Sequence, residues 1–201
     1  MTVDHHSGIE EAVFHAVNAS AGSLVDAAAV VLSERTFGIL AGLALAVAIA
    51  LDRRRERRER LALVLALGAA VAASDFIGAQ VLRPLFGRMR PCFALPPGTF
   101  RWLVASSDVG SLPSLHASNF FAVALVARAA RRALGAAALA LAVAVSWSRV
   151  YVGVHWPTDV VAGAAWGALC AALALAIVRV SSAREAGGPP FGPGPPPEPP
   201  G

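Results

Sequence analysis

The residues in this chain best equipped for chemistry fall in three short stretches. Ser148-Arg149-Val-Tyr-Val-Gly-Val-His155-Trp-Pro-Thr-Asp159 sets an arginine, a histidine and an aspartate immediately ahead of an apolar run. Arg83-Pro-Leu-Phe-Gly-Arg-Met-Arg90-Pro91 adds cations, and Pro113-Ser114-Leu115-His116 places a second histidine at the head of another apolar run. Guanidinium groups are planar forks that grip phosphate oxygens in pairs, which suits Arg83, Arg90 and Arg149 to an anion of two or more charges. Neutralising that charge is the main lever in phosphoryl transfer. Ser114 stands where it can cap a helix, leaving the amides of Leu115 and His116 as an anion seat. Asp159 lies one helical turn beyond His155, close enough to take its Nδ1 proton and leave Nε2 as an attacking lone pair. His116 remains to protonate a departing oxygen and then to activate water. The three stretches together read as a phosphate-handling site.

The elements that must position these groups are apolar. The chain has 201 residues, 56% of them hydrophobic, and a positive mean hydropathy. That exceeds the roughly 45–50% of an ordinary soluble domain. The fold class expected is an all-α integral membrane bundle of five or six spanning helices. A net charge of +4 raises the question of nucleic acid. Polyanion binders, however, spread their cations along an exposed face, whereas here the arginines punctuate apolar runs, so no nucleic acid is expected. Cys92 and Cys170 sit in a loop and in an apolar run, which argues against a disulfide between them. Residues 1–20 have neither a basic start nor a continuous apolar core, so a cleaved signal peptide is not expected.

Along the chain, Ile9, Val13, Phe14 and Val17 share one helical face, as in a helix lying on a membrane surface; an ordinary packed amphipathic helix fits the same pattern. Residues 23–32 read as a partly inserted helix, and 1–33 together as a lead-in. Spans are expected at 36–51, 61–82, 114–130, 133–147 and 160–180, within a transmembrane domain covering 34–181. The intervening 83–113 reads as a long functional loop. Asp75, inside the second span, either shapes the site or bonds a buried partner. The Pro/Gly-rich residues 182–201 read as a disordered tail. The arginine run at 53–60, with Arg128, Arg131, Arg132 and Arg179, belongs on the cytoplasmic side by the positive-inside rule, so the site faces outside the cytoplasm. Arg88 and Arg101 read as loop cations without a catalytic part.

As a set, the three stretches resemble the type 2 phosphatidic acid phosphatase superfamily, whose signature is Lys-x6-Arg-Pro, Pro-Ser-Gly-His and Ser-Arg-x5-His-x3-Asp. Ser148, Arg149, His155 and Asp159 match the third piece in full. Arg90, Pro91, Pro113, Ser114 and His116 match in the others, while Arg83 replaces the lysine and Leu115 the glycine. The resemblance covers about 61–180. It implies a helical membrane hydrolase that needs no metal or other cofactor and forms a phosphohistidine on His155. The substrate it implies is a lipid phosphate, undecaprenyl diphosphate before phosphatidylglycerol phosphate, phosphatidate or lipid A. The setting is the cytoplasmic membrane, with no protein partner predicted. A non-catalytic phospholipid-binding or transport member would share the arginines without needing all of His116, His155 and Asp159. Zinc on those same three residues fits ligand chemistry, but the surrounding arginines favour an anion.

Overall fold

A computed structural model describes residues 7–106 and 110–186. These form α1 (Gly8–Asn18), α2 (Ser23–Ser33), α3 (Arg35–Ala50), α4 (Arg57–Ile77), α5 (Arg83–Phe86), α6 (Pro91–Ala94), α7 (Leu115–Ala130), α8 (Arg132–Tyr151) and α9 (Pro157–Ala186). A π-helical turn, Gly78–Leu82, joins α4 to α5, so that Arg57–Phe86 runs unbroken for 30 residues. No strand forms among the described residues; Met89 and Gly110 make an isolated bridge. Alanine and leucine, the strongest helix formers, fill the long elements. Proline opens α6 and α9 at the first helical position, where its missing N–H costs nothing.

Helix α7 is the central post, packed against α3, α4, α8 and α9. Leu63, Leu67 and Ala70 of α4 meet Ala122 and Val126 of α7 and Leu175 of α9. On another side, Phe120 and Ala124 of α7 meet Ala142 and Val145 of α8. The α7–α9 seam is closer still. A Cβ on Gly163 would come within 2.4 Å of the Ser114 carbonyl oxygen, and one on Gly167 within 1.9 Å of that of Ser118. Paired glycines let two backbones touch, and this register sets the starts of α7 and α9 side by side. Asp75 accepts at Oδ1 from Nδ2 of Asn119 on α7 (2.9 Å), so it fills the partner-bonding role.

Large apolar side chains on the outside, such as Leu43 and Val47 of α3, Val143 of α8 and Leu173 and Ile177 of α9, mark a multi-pass membrane protein. Among the described residues three helices qualify as spans by length and composition, Arg57–Phe86, Arg132–Tyr151 and Pro157–Ser181; the α1–α2 pair, bent by 114°, makes a fourth if counted as one broken span. Helices α3 and α7 are apolar but only 16 residues each. At about 1.5 Å per residue they fall short of about 30 Å of hydrocarbon, so five or six full spans are not reached by length alone.

Helix ends differ from the apolar runs in an informative way. The second run continues as helix to Phe86, so Arg83 lies on a helix rather than in a loop. The fourth runs on to Tyr151 and carries Ser148 and Arg149 in its last turns. Hydropathy registers where side chains turn polar, whereas the backbone stays helical while its neighbours still pack. Helix α9 likewise runs to Ala186, into the segment read as tail; the remainder of that tail lies outside the described residues. In α1 the inward line is Glu10, Phe14 and Asn18, while Ile9 is 80% and Val13 45% exposed. Of the apolar face read from the sequence, Phe14 and Val17 pack while Ile9 and Val13 turn outward. At the other end of the bundle, Arg55 donates to the carbonyls of Ala129 and Ala130 (2.9 and 3.0 Å) and Arg60 to that of Ala50 (3.0 Å). Two arginines of the charged run thus satisfy helix C-termini.

Candidate active site

His155 lies in the short turn between α8 and α9 and is fully buried. Its Nδ1 is 3.3 Å from Asp159 Oδ2, and its Nε2 is 2.8 Å from Nη1 of Arg90. A carboxylate accepts and a guanidinium donates, so the proton belongs on Nδ1 and the lone pair on Nε2. Asp159, in the first turn of α9, has no exposure and a full set of donors. Oδ2 also accepts the Trp156 amide (2.8 Å) and the Ser111 hydroxyl; Oδ1 accepts Nη1 of Arg88 (2.8 Å). The bond back to Trp156 N–H is the side-chain half of a capping box. The same carboxylate therefore starts the helix and orients the imidazole.

The remaining residues singled out in the sequence gather at this end of the bundle. Arg90, buried at the start of α6, also donates to the Val154 carbonyl (2.9 Å), next to His155. Arg149, buried in the last turn of α8, donates to the Ser33 carbonyl (2.9 Å) and hydroxyl (2.8 Å) at the end of α2. Arg83 reaches the Pro113 carbonyl through Nε (3.3 Å). His116 stands in the first turn of α7, within hydrogen-bonding reach of the Ser33 backbone. Arg90, Arg149, Arg83 and His116 are the groups whose charge acts on the His155 imidazole.

Ser114 occupies the N-cap position of α7 but makes no capping bond. Its N–H is tied to the Asp159 carbonyl (3.0 Å), and its buried Oγ has no partner among the described residues. The expected cap is thus absent, because α9 rather than the hydroxyl fixes this residue. An orphan hydroxyl and the first-turn amides of Leu115 and His116, which have no intrahelical acceptor, remain for an anion. Leu115 in place of glycine has a structural account as well. Its side chain lies over Gly78 in the π-helical turn, where an added Cβ would come within 2.5 Å of Leu115 Cδ2. The absent side chain at Gly78 makes room for the one gained at Leu115.

Two arginines read as bland loop cations are not so. Arg88 is buried, bonds Asp159, Thr158 and Glu10, and lies over the Trp156 ring, 5.7 Å from its centroid. Arg101 pairs with Asp26 (2.5 Å) and donates to the Tyr151 hydroxyl (3.2 Å), tying its loop to α2 and α8. Ser111 and Glu10 were missed altogether. Nothing in the sequence marks them, because they lie 48 residues before Asp159 and 78 before Arg88. Trp156 is buried against Phe14 and donates to the Met89 carbonyl (2.9 Å).

Burial first, and then the guanidinium groups of Arg90, Arg149 and Arg83, hold the His155 imidazole well below its ordinary value of 6.5. It is neutral at neutral pH. The linkage follows from the sign: below 6.5 the unfolded chain takes up a proton that the folded site refuses. Stability is therefore full above that value and falls as the solution is acidified, by up to about 1.4 kcal/mol per pH unit for this group. In detergent, the melting temperature of the wild type should drop more between about pH 7 and 5 than that of His155→Gln. Parallel curves for the two proteins would mean that the folded imidazole protonates normally.

Buried guanidinium groups and two imidazoles thus gather at one end of a bundle of apolar membrane helices. Comparison supplies the family: residues 61–182 match the model of the PAP2 superfamily, and the chain belongs to that superfamily. It is 38% identical over 95 residues to a putative undecaprenyl-diphosphatase, YbjG, of Escherichia coli strain K12, covering 47% of this chain and 46% of that one. It is 33% identical over 102 residues to a lipid A 4'-phosphatase of Bacteroides thetaiotaomicron, covering 48% and 45%. The chain thus spans about half the length of the curated relatives it matches. Among solved structures, Aquifex aeolicus LpxE shares the fold with a TM-score of 0.67 at 22% identity, over 88% of this chain and 99% of that one.

Proposed function

We propose that the protein is a membrane lipid phosphatase working through a phosphohistidine. The observation that carries this is His155, with Asp159 on one ring nitrogen and Arg90 on the other. Arg90 occupies the lone pair until substrate arrives, then moves to a phosphate oxygen alongside Arg83 and Arg149. Nε2 attacks phosphorus, the N–P bond forms and the bond to the leaving oxygen breaks, while His116, protonated once the bound phosphate's charge offsets Arg149, Arg83 and Arg90, gives that oxygen a proton. His116, now neutral, takes a proton from water as the water attacks phosphorus. The N–P bond breaks, releasing inorganic phosphate and restoring His155. Fixed donors carry the charge throughout. No step calls for a metal or another cofactor.

The substrate is undecaprenyl diphosphate, with undecaprenyl phosphate as the leaving group; similarity to YbjG supports this choice. The comparable similarity to a lipid A 4'-phosphatase keeps acyl-lipid phosphates as the second reading. The setting is the cytoplasmic membrane with the site on its outer face, because the 53–60 arginine run and Arg131 and Arg132 stand at the end of the bundle away from His155. Purified protein offered a panel of lipid phosphates should release phosphate fastest from undecaprenyl diphosphate. Equal rates across the panel would remove the named substrate. Activity should persist in EDTA and fall with vanadate, a mimic of pentacoordinate phosphorus; loss in EDTA would return the chemistry to a metal.

A further inference from the structure

We propose that Glu10, on the amphipathic helix α1, is a positioning residue of the active site: acting through Arg88, it fixes the Asp159 carboxylate and with it the His155 tautomer. This rests on the phosphatase reading above. The three charges form a buried line, with side chains of Glu10, Arg88 and Asp159 9%, 7% and 0% exposed. Arg88 divides its fork, with Nη2 on Glu10 Oε2 and Nη1 on Asp159 Oδ1 (2.8 Å) and Thr158 Oγ1 (2.6 Å). Glu10 has a second hold on the same turn, since its Oε1 accepts the Thr158 amide (3.1 Å) and hydroxyl. Thr158 is the second residue of α9, so this carboxylate satisfies one of the helix's orphan N–H groups from a different helix.

The consequence is geometric. A guanidinium held at one nitrogen only is free to swing; held by Glu10 as well, its plane is set, and so is the direction from which Asp159 Oδ1 is gripped. Fixing Oδ1 aims Oδ2 at His155 Nδ1. That contact, at 3.3 Å, is the longest that Asp159 makes, so a small rotation of the carboxylate loses it first. A buried arginine robbed of one carboxylate also turns more fully onto the other, dragging Oδ1 further. Helix α1 thus turns Ile9 and Val13 outward and Glu10 toward the chemistry.

The test is a cycle of Glu10→Gln and Asp159→Asn, assayed on whichever lipid phosphate the wild type hydrolyses. In the wild-type background Glu10→Gln should lower kcat about 10- to 100-fold with KM within about twofold. In the Asp159→Asn background the same change should cost less than about twofold, because the group it acts through is gone. An equal loss in both backgrounds, a loss confined to KM, or no loss would overturn the proposal. If the glutamine variant fails to accumulate, Glu10→Asp keeps the charge but withdraws it from Thr158, and the same comparison applies. If the wild type releases no phosphate from any lipid, the phosphatase reading fails. The coupling is then read from melting temperatures, where additive losses overturn it.

Discussion

Replacing His155 by alanine should abolish turnover, lowering kcat by on the order of 10^4-fold or more, with the bundle still folded. The expected loss is large because, in the proposed mechanism, the side chain is the bond-forming group rather than one donor among several. Folding should survive because the neighbours keep other partners. Asp159 retains the Trp156 amide, Ser111 and Arg88, and Arg90 retains the Val154 carbonyl. The small cavity left behind is polar-lined and can take water. Phosphate release, checked against an unchanged size-exclusion profile, reads the result. Rapid quenching with labelled substrate should trap label on the wild-type protein and none on the variant. Turnover near the wild-type rate would exclude a covalent intermediate on this residue.

Much of the site is legible in the sequence because its chemistry is local. His155 and Asp159 are four residues apart, and Pro157 between them announces a helix start, so their juxtaposition follows from helical spacing. Arg149 and His116 sit against the ends of apolar runs, where the bundle must place them at a boundary. The unreadable part depends on which distant face meets which. Arg88 looks like any loop cation until Glu10 and Asp159 enclose it, and the helical pattern of α1 points to Ile9 and Val13 rather than to Glu10. Leu115 breaks the family pattern at one position and is accommodated at Gly78, far off in sequence but adjacent in space. The span count eludes hydropathy for a related reason. Helix α7 is short yet apolar because four neighbours surround it, and apolar character alone does not separate burial in protein from burial in lipid.

Asp159→Asn tests whether orientation of the imidazole, rather than its presence, governs the rate. The native carboxylate accepts from four donors: the Trp156 amide, Ser111, Arg88 and His155 Nδ1. Asparagine offers one accepting oxygen and one donating nitrogen. If its oxygen faces Trp156 and His155, its NH2 group confronts Nη1 of Arg88, donor against donor. If it turns over, the NH2 faces the ring, and the imidazole can accept it only by moving its proton to Nε2, where Arg90 and phosphorus should find a lone pair. Each arrangement sacrifices either the Arg88 contact or the reactive tautomer. The expected result is a fall in kcat of about 10^2- to 10^4-fold, as when a triad aspartate is amidated. KM should change little, because Arg83, Arg90 and Arg149 are untouched. Stability should fall by about 3 kcal/mol, the cost of breaking one side of a buried ion pair. A variant keeping kcat within about tenfold of wild type would mean that packing and Arg90 alone hold the ring, and that the carboxylate serves the start of α9 rather than the chemistry.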